Sequence, residues 1–153
     1  MPSVNPGPAI TQTPNTVDVL TPVNTMNNPV LQGSQALRLL GVVKGLNLST
    51  IGDPAIMQII NAASWVPSVV ITANASANVA AATIGLNTAP AAAGTAVLTT
   101  AVLTGQTTNA FAYVRPATGA AATFTAQSLF VNMGVAVAGA TVDLYLYGYD
   151  LSA

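Results

Sequence analysis

The sequence predicts an all-β protein, a jelly-roll-like antiparallel β-sandwich, and two observations lead to that fold class. About seven short segments rich in Val, Ile, Thr and Leu recur at intervals of roughly 10–20 residues between turn-forming residues, which is typical of sandwiches and jelly rolls. The last segment, TVDLYLYGYDL at 141–151, alternates almost without error. Because successive side chains of a strand point to opposite faces, its Val142, Leu144 and Leu146 are predicted to face the core.

The first strand is predicted at 37–48, where LRLLGVVKGLNL is largely apolar and partly β-branched. Gly41 and Gly45 interrupt this segment. Glycine inside a strand indicates a bulge or a bend. We therefore expect the first strand to pair irregularly with its neighbour.

One short helix is predicted next, over about 54–63. Asp53 is a residue type that caps helix N-termini, and Pro54 suits the first helical position. Ile56, Ile59 and Ile60 would share one face of that helix at helical spacing.

Strands are predicted to resume after Trp65, which we place in the core. Their expected ranges are 67–75, 77–88, 93–104, 109–116, 122–137 and 141–151. The segment 93–104 also suits a helix, because Ala and Leu are strong helix formers, but its threonines favour a strand. The turn at 138–140 predicts a hairpin that joins the last two strands.

Residues 1–36 are predicted to form an extended arm in front of a sandwich domain that spans 37–153. Six of the ten prolines lie in this arm, and Asp18 is its only charged side chain. Proline removes a backbone donor and disfavours helix in the residue before it. A terminus of this kind is ordered only when something ties it down. We therefore expect its apolar side chains to bind neighbouring subunits: Ile10, Val17, Val19, Leu20, Val30 and Leu31.

The aromatic face of the last strand is the second predicted partner-binding surface, formed by Tyr145, Tyr147 and Tyr149. It has two interpretations at this point. The rings cover the exterior of an ordinary sheet, or they form a subunit interface or a carbohydrate-stacking platform, since tyrosine offers contact area at little entropic cost. Asp143 and Asp150 fall on opposite faces by parity, unless a bulge at Gly148 resets the register.

The composition excludes several classes of partner. Only 5% of the residues are charged, the net charge is −1, and the chain has no Cys and no His. Nucleic-acid binding needs clustered Lys and Arg, so it is not expected. No apolar run is long enough to cross a membrane, and the N-terminus lacks the features of a secretion signal. A surface this poor in charge tends to associate, so we expect a homo-oligomer, with a trimer as the working assumption.

The sequence also lacks the usual chemistry of a catalytic site. General acid–base catalysis mostly draws on His or Glu, and neither occurs. Because the chain has no His and no Cys, Ser-His and Cys-His nucleophiles and zinc sites are also excluded. The sequence has no run of Asp and Asn residues with the spacing of a calcium-binding loop, and it has no Gly-rich phosphate-binding loop. We therefore predict no enzymatic activity, no cofactor and no metal.

Two parts of the chain resemble a group of small structural proteins of tailed bacteriophages. In that group a strand ending in Asn-Ala-Ser leads to an Ala-rich strand and then to a Gly-Thr-Ala-aliphatic strand, and the closing strand is an alternating Asp-aliphatic-Tyr run. The matching residues here are Asn74–Ser76, Gly85–Ala89, Gly94–Leu98 and the last strand at 141–151. The turn at 90–94 departs from the group, because it is apolar and has no Lys.

The resemblance implies a β-sandwich protein of the virion, such as one that decorates or cements a capsid. We therefore expect a protein that binds the capsid exterior passively, with the major capsid protein and copies of itself as partners. The arm would lie over adjacent capsid subunits. The alternative is a tail, fibre or baseplate component that recognises host surface glycans.

Overall fold

The structure is a computed structural model that describes residues 37–107, 113–117 and 122–152. The predicted arm at 1–36 lies outside the described residues. Within them the chain forms eight strands: β1 (Leu37–Asn47), β2 (Gly52–Gln58), β3 (Trp65–Ala73), β4 (Thr83–Asn87), β5 (Ala96–Val102), β6 (Tyr113–Pro116), β7 (Ser128–Val135) and β8 (Thr141–Asp150).

The eight strands form two four-stranded antiparallel sheets. The first sheet has the order β1-β8-β3-β6, and the second has the order β2-β7-β4-β5. Consecutive strands alternate between the sheets except for β4 and β5, which pair directly. This is the strand order of a jelly roll, built from two Greek keys. The predicted fold class, an all-β antiparallel sandwich of the jelly-roll kind, is confirmed.

The core lies between the two sheets, and in several of the strands whose side chains the structure describes it is formed by alternate residues. Val142, Leu144 and Leu146 of β8 are fully buried there, as the alternation predicts. From the second sheet, Leu129 and Val131 of β7 meet them and are also fully buried. Burying a side chain of this size contributes about 1.5–3 kcal/mol, so these alternating positions are the main source of stability.

The predicted irregularity of the first strand is confirmed. The register of β1 against β8 shifts between Leu39 and Gly41 and again between Val43 and Leu46. Gly45, inside the second shift, has a φ of 61°. The bulges do not disturb the alternation on either side of them, so β1 presents apolar residues to both faces of the first sheet.

The predicted helix at 54–63 is wrong, because most of this segment is strand β2. Met57 and Ile59 point into the core, whereas Ile56 is 51% exposed and Ile60 is 38% exposed. That alternation has the period of a strand. Pro54 is tolerated because β2 is an edge strand of the second sheet, where one side of the backbone needs no donor.

The hairpin predicted at 138–140 is also wrong. β7 pairs with β2 and β4, whereas β8 pairs with β1 and β3, so the turn carries the chain from one sheet to the other. Leu48 lies between the two segments: its carbonyl accepts the Val137 N–H at 2.7 Å and its N–H donates to the Ala140 carbonyl at 2.9 Å. Both strands face one core from opposite sides, and this arrangement gives the same sequence pattern as a hairpin.

The predicted ranges 77–88 and 122–137 are longer than the strands β4 and β7, whereas β3 has the length of its predicted range and begins two residues earlier. The segment 93–104 contains the strand β5, so the helical alternative for it is wrong. Asn74 has a φ of 53° and Ser76 donates its N–H to the Thr141 carbonyl at 2.9 Å. The Asn-Ala-Ser segment therefore forms the turn that ends β3. Trp65 is fully buried, as predicted.

Candidate functional site

The candidate site is the outer face of the first sheet, which carries the three predicted tyrosines on its strand β8. The register places an apolar residue of β1 on one side of each tyrosine and an apolar residue of β3 on the other. The result is three rows across three adjacent strands, here called the apolar face: Leu37–Tyr149–Val66, Leu39–Tyr147–Val69 and Val42–Tyr145–Ile71.

The nine side chains of the apolar face form one continuous surface. Side chains directly opposite each other on neighbouring strands lie about 4.5–5.5 Å apart at Cβ, so each row is in contact. None of the nine is buried; Leu37 is 50% exposed and Tyr149 is 40% exposed. A sheet that is apolar on both faces is typical of one covered on both sides. The apolar face is therefore the part of the described surface best suited to a partner.

The outer face of the second sheet differs in character. Its large apolar residues form two separate groups: Ile56 and Phe130 lie opposite each other on β2 and β7, and Val102 and Val135 lie on either side of Thr83 on β5 and β7. The positions around them are small or polar: Gln58, Thr83, Gly85, Ser128, Asn132 and Gly134. Polar and glycine positions thus divide the apolar residues on the outer face of the second sheet, whereas those on the outer face of the first sheet form one continuous surface.

A polar cluster borders the apolar face at the Tyr145 row. Asp143 accepts hydrogen bonds from the Gly45 N–H and the Asn74 side-chain amide, both at 2.8 Å, and from the Tyr145 hydroxyl at 3.2 Å. The Lys44 ammonium lies 5.4 Å from the centre of the Tyr145 ring. These contacts hold the Tyr145 ring in place on the sheet and give this rim both a cation and an anion.

The opposite end of the first sheet is held by an ion pair between β1 and β8. Arg38 donates to the Asp150 carboxylate at 2.7 Å and to the Ile60 carbonyl at 2.5 Å. Asp150 is only 8% exposed and also accepts the Ser152 N–H at 2.9 Å. Because β8 keeps its alternation, Asp143 points outward and Asp150 points inward, as the parity predicts. The two carboxylates therefore form no acid–base pair.

Both carboxylates have a pKa below the usual value. Burial alone raises the pKa of Asp143, but hydrogen bonds from Asn74, Gly45 and Tyr145 and the charge of Lys44 outweigh it. Burial likewise raises the pKa of Asp150, and the hydrogen bonds from Ser152 and the charge of Arg38 outweigh that. The ionised forms are therefore favoured in the folded protein relative to the unfolded chain.

This gives a prediction for stability against pH. A carboxyl with a depressed folded pKa contributes stability above its unfolded pKa and loses it as the pH falls through its folded pKa. We expect the urea midpoint to be constant between about pH 7 and 5 and to fall below about pH 4. In the double variant Asp143→Asn, Asp150→Asn, the urea midpoint should fall less steeply below about pH 4. An equally steep fall in the double variant would contradict the depressed pKa values of these two carboxyls.

Of the nine predicted partner-binding residues, the structure describes the three tyrosines and brings them into one line on β8. The other six, Ile10, Val17, Val19, Leu20, Val30 and Leu31, lie outside the described residues. The sequence interpretation missed the six flanking residues from β1 and β3. The sequence did contain an indication of them, because the segments at 37–43 and 66–71 have apolar residues at both odd and even positions. A strand that faces the core on one side only needs them at every second position.

Within 37–107, 113–117 and 122–152, no group of three acidic, His or Cys side chains is placed to hold a metal ion. No helix in these ranges is long and apolar enough to cross a membrane. No protein-family model matches the chain, and no curated protein matches it significantly. The function is therefore argued from the fold and the apolar face.

Proposed function

We propose that this chain is a non-enzymatic structural protein of a bacteriophage virion, a decoration or cement protein that binds and stabilises the exterior of the head. The observation that carries the proposal is the apolar face, a continuous surface of nine aliphatic and aromatic side chains on the outer side of the first sheet. Jelly rolls are frequent among viral capsid domains, and the resemblance of the segments at 74–98 and 141–151 to phage proteins agrees with this role.

The mechanism is passive adhesion to the major capsid protein and to copies of the chain itself. Apolar side chains of the arm, Ile10 foremost, enter grooves on capsid subunits or extend an exposed sheet edge. Each anchor that becomes fully buried contributes about 1.5–3 kcal/mol. Linking copies into a homo-oligomer multiplies the effect through effective concentration.

Because only 5% of the residues are charged, we expect binding that depends weakly on salt. In the test, purified full-length protein is added to capsids assembled without it, and bound protein is quantified after sedimentation. The expected result is saturation at many copies per head and retention through a wash at about 0.5 M NaCl, where the Debye length is only a few ångströms. Release by NaCl alone would contradict the proposal.

A matched pair of variants tests the role of the arm in the same assay. Ile10→Asp should weaken capsid binding about tenfold or more, since it replaces one buried apolar anchor with a charge. Thr13→Asp adds the same charge at a nearby polar position and should leave binding close to that of the original protein. Equal losses in the two variants would indicate a non-specific charge effect and would count against the anchor.

The three tyrosine rings in line along β8 favour a second candidate, a tail, fibre or baseplate component that recognises host surface glycans. Aromatic faces stack on sugar rings, and Asp143, Asn74 and Lys44 at the rim supply polar groups for hydroxyls. This candidate predicts glycan binding by the purified protein and few copies per virion. Copy number, measured by quantitative mass spectrometry of purified particles, separates the two functions.

A further inference from the structure

We propose that the apolar face is the docking site for the segment Val17–Leu20 from a neighbouring copy of this chain, so that copies are joined by exchange of their arms. The inference concerns contacts between copies and does not depend on the virion role. The terminal part of the arm, including Ile10, lies beyond the docked segment and stays available for another partner.

The length of the arm allows this segment to reach a neighbouring copy. β1 begins at Leu37 in the first row of the apolar face and runs across the face toward the Val42 row. The arm therefore joins the sheet at one edge of the face, and it would have to reverse direction to lie on its own apolar face. The chain from Leu20 to Leu37 can span roughly 55 Å at about 3.3 Å per residue. That length exceeds the diameter of a small domain of about 30 Å, so an adjacent copy is within reach.

The size of the apolar face suits an extended segment better than a second folded surface. Its three strands are about 4.8 Å apart and its rows about 7 Å apart, so its Cα positions cover roughly 10 Å by 14 Å. A standard interface between two folded surfaces takes about 20–30 residues from each partner, whereas the apolar face has nine. Four to five residues of extended chain match the length of the three rows.

The chemistry of the segment is complementary to the apolar face. In Val-Asp-Val-Leu, Val17 and Val19 point to one side of an extended chain, which suits the aliphatic and aromatic rows. Asp18 is the only charged side chain in residues 1–36. A docked segment can therefore bury its valines against the apolar face, while Asp18 lies on the opposite, solvent-facing side of the chain, where no charge is buried.

The absence of cysteine from the chain allows a direct test by disulfide formation between full-length copies, without capsids. One copy carries Val17→Cys or Val19→Cys, and a second, size-tagged copy carries Leu39→Cys or Val69→Cys. After mixing and mild oxidation, we expect a disulfide-linked pair of one copy of each kind on a non-reducing gel. Ile56→Cys, on the exposed outer face of the second sheet, is the matched control and should give only background.

Two further variants separate a specific contact from random collision. Tyr147→Ser in the Val69→Cys copy should lower the yield of the linked pair about tenfold, as expected for a central aromatic anchor. Phe130→Ser removes an aromatic residue from the outer face of the second sheet and should not change the yield. Circular dichroism of both variants verifies that the sandwich is folded.

Three outcomes would overturn the inference. The first is the absence of a linked pair in all four arm and face combinations. The second is an intramolecular disulfide in a chain that carries both cysteines, without any link between copies, which would assign the segment to its own apolar face. The third is an efficient link between two Val69→Cys copies, which would assign the apolar face to a second apolar face. Failure of capsid binding leaves all three readouts unaffected.

Discussion

Replacing Trp65 by alanine is expected to lower the free energy of unfolding by about 3–5 kcal/mol. The side chain is fully buried and stacks on Phe124 with ring centroids 5.0 Å apart. Its indole N–H donates to the Ala126 carbonyl at 3.0 Å. The backbones of Trp65 and Phe124 also exchange hydrogen bonds, at 2.9 and 2.8 Å. Trp65 thus anchors the segment that leads into β7 to the start of β3.

Urea denaturation followed by far-ultraviolet circular dichroism measures this loss, because Trp65 is the only tryptophan and its fluorescence disappears with it. Trp65→Phe is the matched control. It keeps an aromatic ring against Phe124 but leaves the Ala126 carbonyl without its indole donor, so we expect a smaller loss of about 1–2 kcal/mol. A loss below about 1 kcal/mol for Trp65→Ala would contradict the anchoring role.

Sequence reasoning succeeded where a local pattern has one structural meaning. The alternation of β8 is such a pattern, because only a strand with one buried face explains Val142, Leu144 and Leu146. The burial of Trp65 and the irregularity of β1 are further examples. Each depends on residue type and nearest neighbours, which the sequence displays directly.

The helix at 54–63 shows where local patterns have two meanings. Asp53 and Pro54 suit a helix start, and they equally suit the start of an edge strand. The structure is decided by contacts distant in sequence, since Met57 pairs with Leu129 of β7. The hairpin at 138–140 failed for the same reason, because a short turn within a sheet and a short turn between sheets carry the same residues.

The apolar face could be predicted only in part. The tyrosines were visible because they alternate within one strand. Their neighbours were not, because the rows join β1 and β8 from opposite ends of the described chain; Arg38 and Asp150, which pair at the edge of these strands, are 112 residues apart in sequence. A single sequence does not show which residues of two such distant strands lie opposite each other. The available indication was that β1 and β3 have apolar residues at both odd and even positions, which is typical of a sheet that is covered on both faces.

Replacing Gly148 by alanine is expected to be as damaging as the loss of Trp65, for a different reason. Gly148 lies in β8 between Tyr147 and Tyr149 and points inward. A Cβ there would overlap the Val66 carbonyl oxygen and would lie 2.6 Å from Leu40 Cδ1 and 3.0 Å from Pro67 Cα. Two of these atoms belong to the backbone of β3, which cannot move aside by a change of rotamer. β8 and β3 must separate, at a cost of about 3 kcal/mol or more.

Gly139→Ala is the matched control, because its φ of 73° strains an alanine while nothing lies within 4 Å of its Cβ. That variant should lose only about 1 kcal/mol, from backbone strain alone. Urea denaturation compares the two, and equal losses would show that the strands adjust to a Cβ at position 148. Since Tyr147 and Tyr149 flank Gly148, the displaced strand also breaks two rows of the apolar face. At low urea, where Gly148→Ala is still folded, we therefore expect it to lose arm docking as well, whereas Gly139→Ala retains it.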